Sequence, residues 1–473
     1  MRKFILALAA AVTLPAAAQN IDIESLSGLQ FTFGNPGARA LGMGGAFLGL
    51  ADDASAAEAN PAGLTILRKP EISIELRNFV EQQSFTTSGT FPNVERTAFN
   101  HHSNAAVVSF ASVVYPIKNF TVGAYYHEPL NNEGGGVVAP TQDPFNGDIP
   151  LPDFFMPRER IGNTDEYRYT GGPISEQECI QRRIQFNDPF TCVQSVVDPF
   201  ISALAVRQRT IGLSGAWQVH PRFSVGATVR YQRFREEAAT FRFAVTPFGF
   251  ELDQTLIQAT ARERDGGVEL GEETDVTFAV GFKWTPIDML SIGGVYKEGA
   301  EYDTALFYAD SANTGGEFIN AAQTTFHIPD VAGIGISVRP IPSLTINADA
   351  VRVTYSNLVD NFVSAGADVT GLGDPFVAED VTELRFGAEY LFPTKIPVAL
   401  RAGYWHDPAH SVAWRGPLTN PDFVAEALLF PEGQDQEHYT IGAGLAWPRF
   451  QIDVAYDTSD TYKAGSISMV TRF

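Results

Sequence analysis

A chain of 473 residues with a formal charge of −22, 12% aromatic and 19% charged residues carries less charge than the roughly 25% of an ordinary soluble protein. Its acidity excludes the basic surface that nucleic acid requires. Beyond residues 1–19 no run approaches the ~18 apolar residues of a membrane helix, which excludes a helical membrane protein.

In chain order, Met1-Arg2-Lys3, the apolar stretch from Phe4 to Pro15 and the small residues Ala16-Ala17-Ala18-Gln19 read as a secretory signal peptide over 1–19. No Cys follows that region, which argues against a lipoprotein anchor. Residues 20–69 do not alternate and are dense in Gly and Ala, so their backbone can pack closely against other walls. Asp52, Asp53 and Ser55 are placed to cap a short helix over Ala54–Ala59, which Asn60-Pro61 would end.

From residue 70 onward apolar and polar residues alternate in fourteen segments, near 70–79, 104–115, 118–128, 204–219, 222–245, 274–285, 288–304, 326–340, 343–356, 380–392, 396–407, 437–447, 449–457 and 464–473. Residues i, i+2 and i+4 of a strand share a face. One face of a segment reads Val276, Phe278, Val280, Phe282 and Trp284; its other face reads Asp275, Thr277, Ala279, Gly281 and Lys283. Tight turns with Pro116, Pro221, Pro286, Pro340, Pro393 and Pro448 alternate with long polar loops. A soluble sandwich also alternates, but short turns at one end, long loops at the other and rings beside the turns (Tyr115, Trp217, Trp284, Phe392, Trp447) predict an outer-membrane barrel. The expected fold is all-β: a 14-stranded antiparallel transmembrane β-barrel over 70–473, with residues 20–69 as a plug inside a lumen wide enough to hold one. Outer-membrane lipid is then its solvent. Strand 464–473 ends with Ile467, Met469 and Phe473 on one face, which resembles the signal read by the barrel assembly machinery. Cys179 and Cys192, in the long loop 129–203, read as a disulfide in an exported protein. Nothing in the spacing points to a metal or a cofactor.

The run from Gly37-Ala38-Arg39-Ala40-Leu41-Gly42-Met43-Gly44-Gly45-Ala46-Phe47 to Leu64 resembles the N-terminal hatch of the FadL/TodX family of outer-membrane transporters for long-chain fatty acids and other hydrophobic compounds. Asn60-Pro61-Ala62 matches the family's Asn-Pro-Ala motif, and Asp52-Asp53 its paired acids. Ile334–Pro340 with Leu344–Asp349, Leu384–Tyr390 with Leu400–Tyr404, and Ile441–Gly444 with Ile452–Tyr456 are similar to its hairpins. The opening of the run is similar also to that of PorV-like barrels, relatives that act in protein secretion or surface attachment.

The resemblance implies a monomeric passive transporter. An apolar ligand is caught outside, enters the barrel and leaves when the hatch shifts or through a wall gap beside a kinked third strand. A lateral exit spares a long chain the ~0.8 kcal/mol per CH₂ of returning to water. Gly123 is the candidate kink; the alternative is an ordinary lumen glycine. An apolar lumen is expected, with Val108, Phe110, Val114, Val351, Val353 and Tyr355 facing it. A ligand carboxylate would need a cation; by strand parity Arg77, Arg230, Lys283, Arg385 and Arg401 are candidates, unless they pair with lumen acids such as Glu71, Glu75, Asp349, Glu389 and Asp453. Phe154, Phe155 and Met156 would form an external collecting groove or pack the loop around its disulfide. An enzyme is not expected: His101-His102 and His406-Asp407 are the only fragments that suggest a base.

Overall fold

The structure, a computed structural model, describes residues 33–86, 98–138, 153–162, 164, 166–196, 200–246, 249–264, 267–310, 317–359, 372 and 375–473. The signal peptide expected over 1–19 and the first part of the plug, 20–32, lie outside them. The wall is a closed cylinder of fourteen strands. They are β1 Glu71–Thr86, β2 Ala98–Ile117, β3 Phe120–Val138, β4 Phe200–His220, β5 Phe223–Thr246, β6 Glu273–Ile287 and β7 Leu290–Lys297. The second half is β8 Val331–Ile341, β9 Leu344–Val353, β10 Val381–Phe392, β11 Val398–Asp407, β12 Gln436–Ala446, β13 Phe450–Thr458 and β14 Tyr462–Arg472. Each strand pairs antiparallel with its sequence neighbours, and β14 closes on β1 from Glu71–Arg472 to Glu81–Tyr462. The proline turns stand together at the end where β1 starts and β14 stops, and Phe473 N–H donates to Pro70 O there at 3.1 Å.

The alternating pattern becomes an outside and an inside. Val276, Phe278, Val280, Phe282 and Trp284 are exposed, Thr277 and Lys283 buried. Trp217 and Trp284 keep about half their surface, at 50% and 47%. In a cylinder of this kind the apolar face meets hydrocarbon and the polar face lines the lumen.

One expected strand is cut short. The segment near 288–304 is strand only to Lys297 (β7); Gly299 N–H then turns to Asp330 Oδ1 at 2.6 Å, and a Cβ at Gly299 would overlap Ile328 O. The chain resumes as Glu301–Asp310, which pairs with Gly249–Arg264 and Ile319–His327 in a sheet standing above the rim on β5. Val108 is also misplaced by simple parity. The β1–β2 register shifts between Glu75 and Leu76, so Ser109 is an extra residue; Ser109 and Phe110 both turn inward and Val108 faces out. A bulge of this kind reverses the alternation beyond it.

Residues 33–69 fill the lumen. They hold two one-turn helices, α1 Ala38–Leu41 and α2 Ala56–Ala59, and a 3-10 turn over Pro61–Ile66. The helix expected over 54–59 is only four residues long, because the Asp53 carboxylate accepts from Ser55 N–H at 2.9 Å and turns the chain before it. Above this plug the lumen holds an apolar cluster of Leu204, Val206, Phe234, Val351, Val353 and Tyr355, with buried Gln208 and Glu236 on the same strand faces. Over the outer mouth lie α4 (Pro421–Leu429), from the β11–β12 connection, and a small subdomain from the β3–β4 connection. The subdomain is a three-stranded sheet, Asp153–Arg160, Tyr167–Tyr169 and Cys192–Val196, with helix α3, Glu176–Phe186.

Candidate functional site

The plug is tied to the wall through its own backbone. Asn60 is fully buried; its amide donates to Leu48 O and to Phe282 O of β6, both at 3.1 Å, and its side-chain oxygen caps Ala62 N–H at 3.2 Å. Pro61 then starts the 3-10 turn where its missing N–H leaves nothing unsatisfied. Gly44 N–H donates to Thr440, Phe47 and Leu48 N–H to Asp349, and Ser214 and Ser224 donate to the carbonyls of Ala57 and Ala62. Several wall positions are glycine because the plug leaves no room for a side chain: a Cβ at Gly293 would overlap Leu48 O, and one at Gly403 would overlap Gly44 N. Asp52 binds Arg39 at 2.5 Å and Arg339 of β8 at 2.9 Å; Asp53 stays inside the plug, on Ser55.

The cations singled out by parity all point inward and are held in different ways. Arg77 pairs with Glu75 at 2.8 Å, Arg385 with Glu383, and Arg401 with Glu389 at 2.7 Å and Asp453 at 2.8 Å. Lys283 donates to the plug carbonyls of Gly49, at 2.8 Å, and Leu50. Arg230 differs. Its carboxylate is Glu58 of α2, 3.7 Å away, and Glu58 is also bound by Lys297 of β7 at 3.0 Å. Two cations therefore face one acid, since the carboxylate of nearby Glu298 accepts from Phe278 N–H instead. Burial opposes the charge on Glu58, but Lys297, Arg230 and His127 outweigh it and bring the carboxyl down to about 2. A cavity lined by Glu58, His127, Gln208, Arg230, Gln232 and Lys297 opens over this group. A second cavity adjoins it through His127 and Pro129 and is lined by Phe79, Arg77, Arg385, Trp405 and Tyr462. Phe33–Asn35 separates the two, its carbonyls held by Arg385 and Arg77 from opposite walls.

Both cavities meet the wall at its irregular stretch. Among the described residues β2 and β3 share a register from Ile117–Phe120 to Phe110–His127; beyond it β2 is in register with β1, and β3 with β4. The β3–β4 register shifts between His127 and Leu130, opposite the bulge at Ser109. Pro129 is the local cause, having no N–H to give to a ladder. Gly123 is therefore not the kink: it pairs in unbroken register with Val114 and Ser214 and faces Leu64 of the plug.

Outside, Met156 is not part of an exposed groove. It is fully buried against Val424 and Leu428 of α4, and Phe155 is half-buried; the side chain of Phe154 lies outside the described residues. Cys179 and Cys192 form the expected disulfide. His101 and His102 lie within β2 rather than a loop, and His406 binds Glu437 at 3.0 Å. Parity alone missed Glu58, His127, Lys297 and Pro129. Pro129 just past a strand pattern, and Glu58 alone in an alanine-rich run, were the available signals.

A family model described as outer membrane protein transport protein (OMPP1/FadL/TodX) matches residues 201–466. No curated protein sequence matches the chain. A Pseudomonas aeruginosa FadL homologue is similar in fold at a TM-score of 0.59 and 16% identity, over 94% of this chain and 99% of that one. The Ralstonia pickettii toluene transporter TbuX follows at 0.53 and 15%, over 93% and 98%. The Pseudomonas putida toluene transporter TodX stands at 0.51 and 15%, over 93% and 98%.

Proposed function

The chain belongs to the OMPP1/FadL/TodX family of outer membrane transport proteins, and from that premise we propose that it passively carries amphipathic carboxylic acids, long-chain fatty acids among them. The observation behind this choice of substrate is the pair Arg230 and Lys297 sharing the one carboxylate of Glu58 in a lumen cavity. A buried surplus cation favours an anionic guest, and the apolar cluster above it accepts the chain at about 0.8 kcal/mol per CH₂. The acid enters past the subdomain and α4, rests with its headgroup on Arg230 and Lys297, and leaves sideways where the β2–β3 register stops. Lateral release is favoured over axial release because the plug is bound to the wall on many sides. Arg77, Arg385 and Arg401, each satisfied by its own acid, orient the plug and the strap at Phe33–Asn35.

The test is uptake of radiolabelled palmitate and toluene by cells whose own transporter of this kind is deleted. Palmitate uptake should fall at least tenfold in the double variant Arg230→Ala/Lys297→Ala, with toluene uptake unchanged. Toluene uptake without palmitate uptake by the wild type would make the cargo a neutral hydrocarbon, as the names of two relatives describe for those proteins. Uptake of neither would return the chain to the secretion or surface-attachment reading.

A further inference from the structure

Glu58 occupies an unusual place. It is a plug residue, on α2, yet its carboxylate bridges the lumen cations and the third strand. One oxygen accepts from Lys297 at 3.0 Å and lies 3.7 Å from Arg230 and 3.8 Å from His127; the other accepts from the hydroxyl of Tyr125. Tyr125 and His127 belong to β3 and share its inward face. His127 is the last residue of β3 in register with β2, and Pro129 follows two residues later. The single carboxylate thus joins the plug to the strand at the level where the wall becomes irregular.

The site around it is built for more negative charge than it holds. The Nε of Arg230 and the Nδ1 of His127 are buried without a hydrogen-bond partner, and both residues line the cavity. Gln208 and Gln232 on the cavity wall satisfy each other, Gln208 Nε2 donating to Gln232 Oε1 at 2.7 Å, and Gln232 Nε2 donates on to Thr277. The unmet polar atoms in the cavity therefore belong to Arg230 and His127, the residues facing Glu58.

We propose that Glu58 is a built-in stand-in for the cargo's carboxylate: it holds the cation site in the unloaded protein, and an incoming carboxylate displaces it and frees β3 from the plug. The proposal rests on the anionic-amphiphile reading and gives it a coupling step. A neutral hydrocarbon makes no competing claim on Lys297 and Arg230 and leaves Glu58 where it is. A carboxylate of equal charge takes the place of Glu58 on Lys297 and Arg230, so neither cation is left as an unpaired buried charge. Loss of the Tyr125 hydrogen bond and the His127 contact then removes the polar tie between the plug and β3 beside Pro129. The apparent affinity for a carboxylate is lowered by the fraction of molecules whose site Glu58 already fills. Removing that competitor should tighten carboxylate binding, the opposite of what loss of a simple structural ion pair would do.

Equilibrium binding of palmitate and of 1-hexadecanol to the purified full chain in detergent measures this, with amide exchange in β3 as the second readout. Glu58→Gln is expected to bind palmitate at least tenfold more tightly than wild type, with hexadecanol binding changed less than twofold. Saturating palmitate should speed exchange at residues 127–131 in the wild type, and in Glu58→Gln exchange there should already be fast without ligand. Glu58→Asp, which keeps the charge, should restore wild-type palmitate affinity. Palmitate binding unchanged or weakened in Glu58→Gln, or a parallel shift for both ligands, overturns the proposal. If Glu58→Gln does not fold, Tyr125→Phe carries the test: it should speed exchange at 127–131 without ligand, and unchanged exchange overturns the coupling. A wild type that binds neither ligand, or both equally with no loss in Arg230→Ala/Lys297→Ala, removes the underlying reading instead.

Discussion

At Gly293 and Gly403 the wall has given up its side chains so that the main chain of the plug can lie against it. Filling such a place forces the backbone to shift, at about 1–3 kcal/mol for each added methyl in a packed site. Gly403→Ala should therefore lower the urea midpoint for loss of the plug's protection from protease, while barrel content by circular dichroism stays at the wild-type level. Glu58 supports a pH prediction. Its carboxyl, at about 2 in the folded protein, lies below its ordinary 4.5. Its contribution to plug attachment is present in full above that ordinary value and is lost only as the pH falls toward about 2. An infrared difference spectrum between wild type and Glu58→Gln should show an ionised carboxylate at pH 4. A protonated band there would put the residue outside the influence of Lys297 and Arg230.

Among the elements, β3 matters most for function. Pro129 withholds the hydrogen bond that would carry its ladder onward, and the bulge at Ser109 sits at the same level on β2. Pro129→Ala restores an N–H. It should slow amide exchange at 128–131 and reduce palmitate uptake several-fold; unchanged uptake would place the exit elsewhere. The wall strands were legible in the sequence because hydrocarbon and lumen impose opposite demands on alternate residues, as in 274–285 and 437–447. Where the period slips by one residue, as at Ser109, or the chain turns aside, as at Gly299, alternation no longer says which side a residue takes. The asparagine-proline-alanine turn was recognisable because each residue has a local task. The partners of Glu58 were not, since Tyr125, Arg230 and Lys297 come from three strands far apart in the chain.

On the scale of the whole molecule, β3, β4 and β5 are among the longest wall strands, 19, 21 and 24 residues against 9 to 12 in the run from β8 to β14. A strand needs only ~9–11 residues to span a bilayer, so this side rises above it and carries the disulfide subdomain toward α4. The bond between Cys179 and Cys192 closes a separation of 13 residues, a loop for which chain entropy alone supplies roughly 3 kcal/mol. Replacing both cysteines by serine should make residues 153–196 protease-sensitive while leaving heat-resistant migration of the barrel in detergent gels unaltered.

The seam between β1 and β14 has a consequence for the order of assembly. Its partners, Glu71 with Arg472 through Glu81 with Tyr462, stand at opposite ends of the polypeptide, and the plug precedes both in synthesis. Once that seam is zipped, residues 33–69 stand within a ring of strands that grips them on several sides. The expected sequence is that the stopper is laid in while the cylinder is still an open, curling sheet, and the last strand to arrive seals it inside.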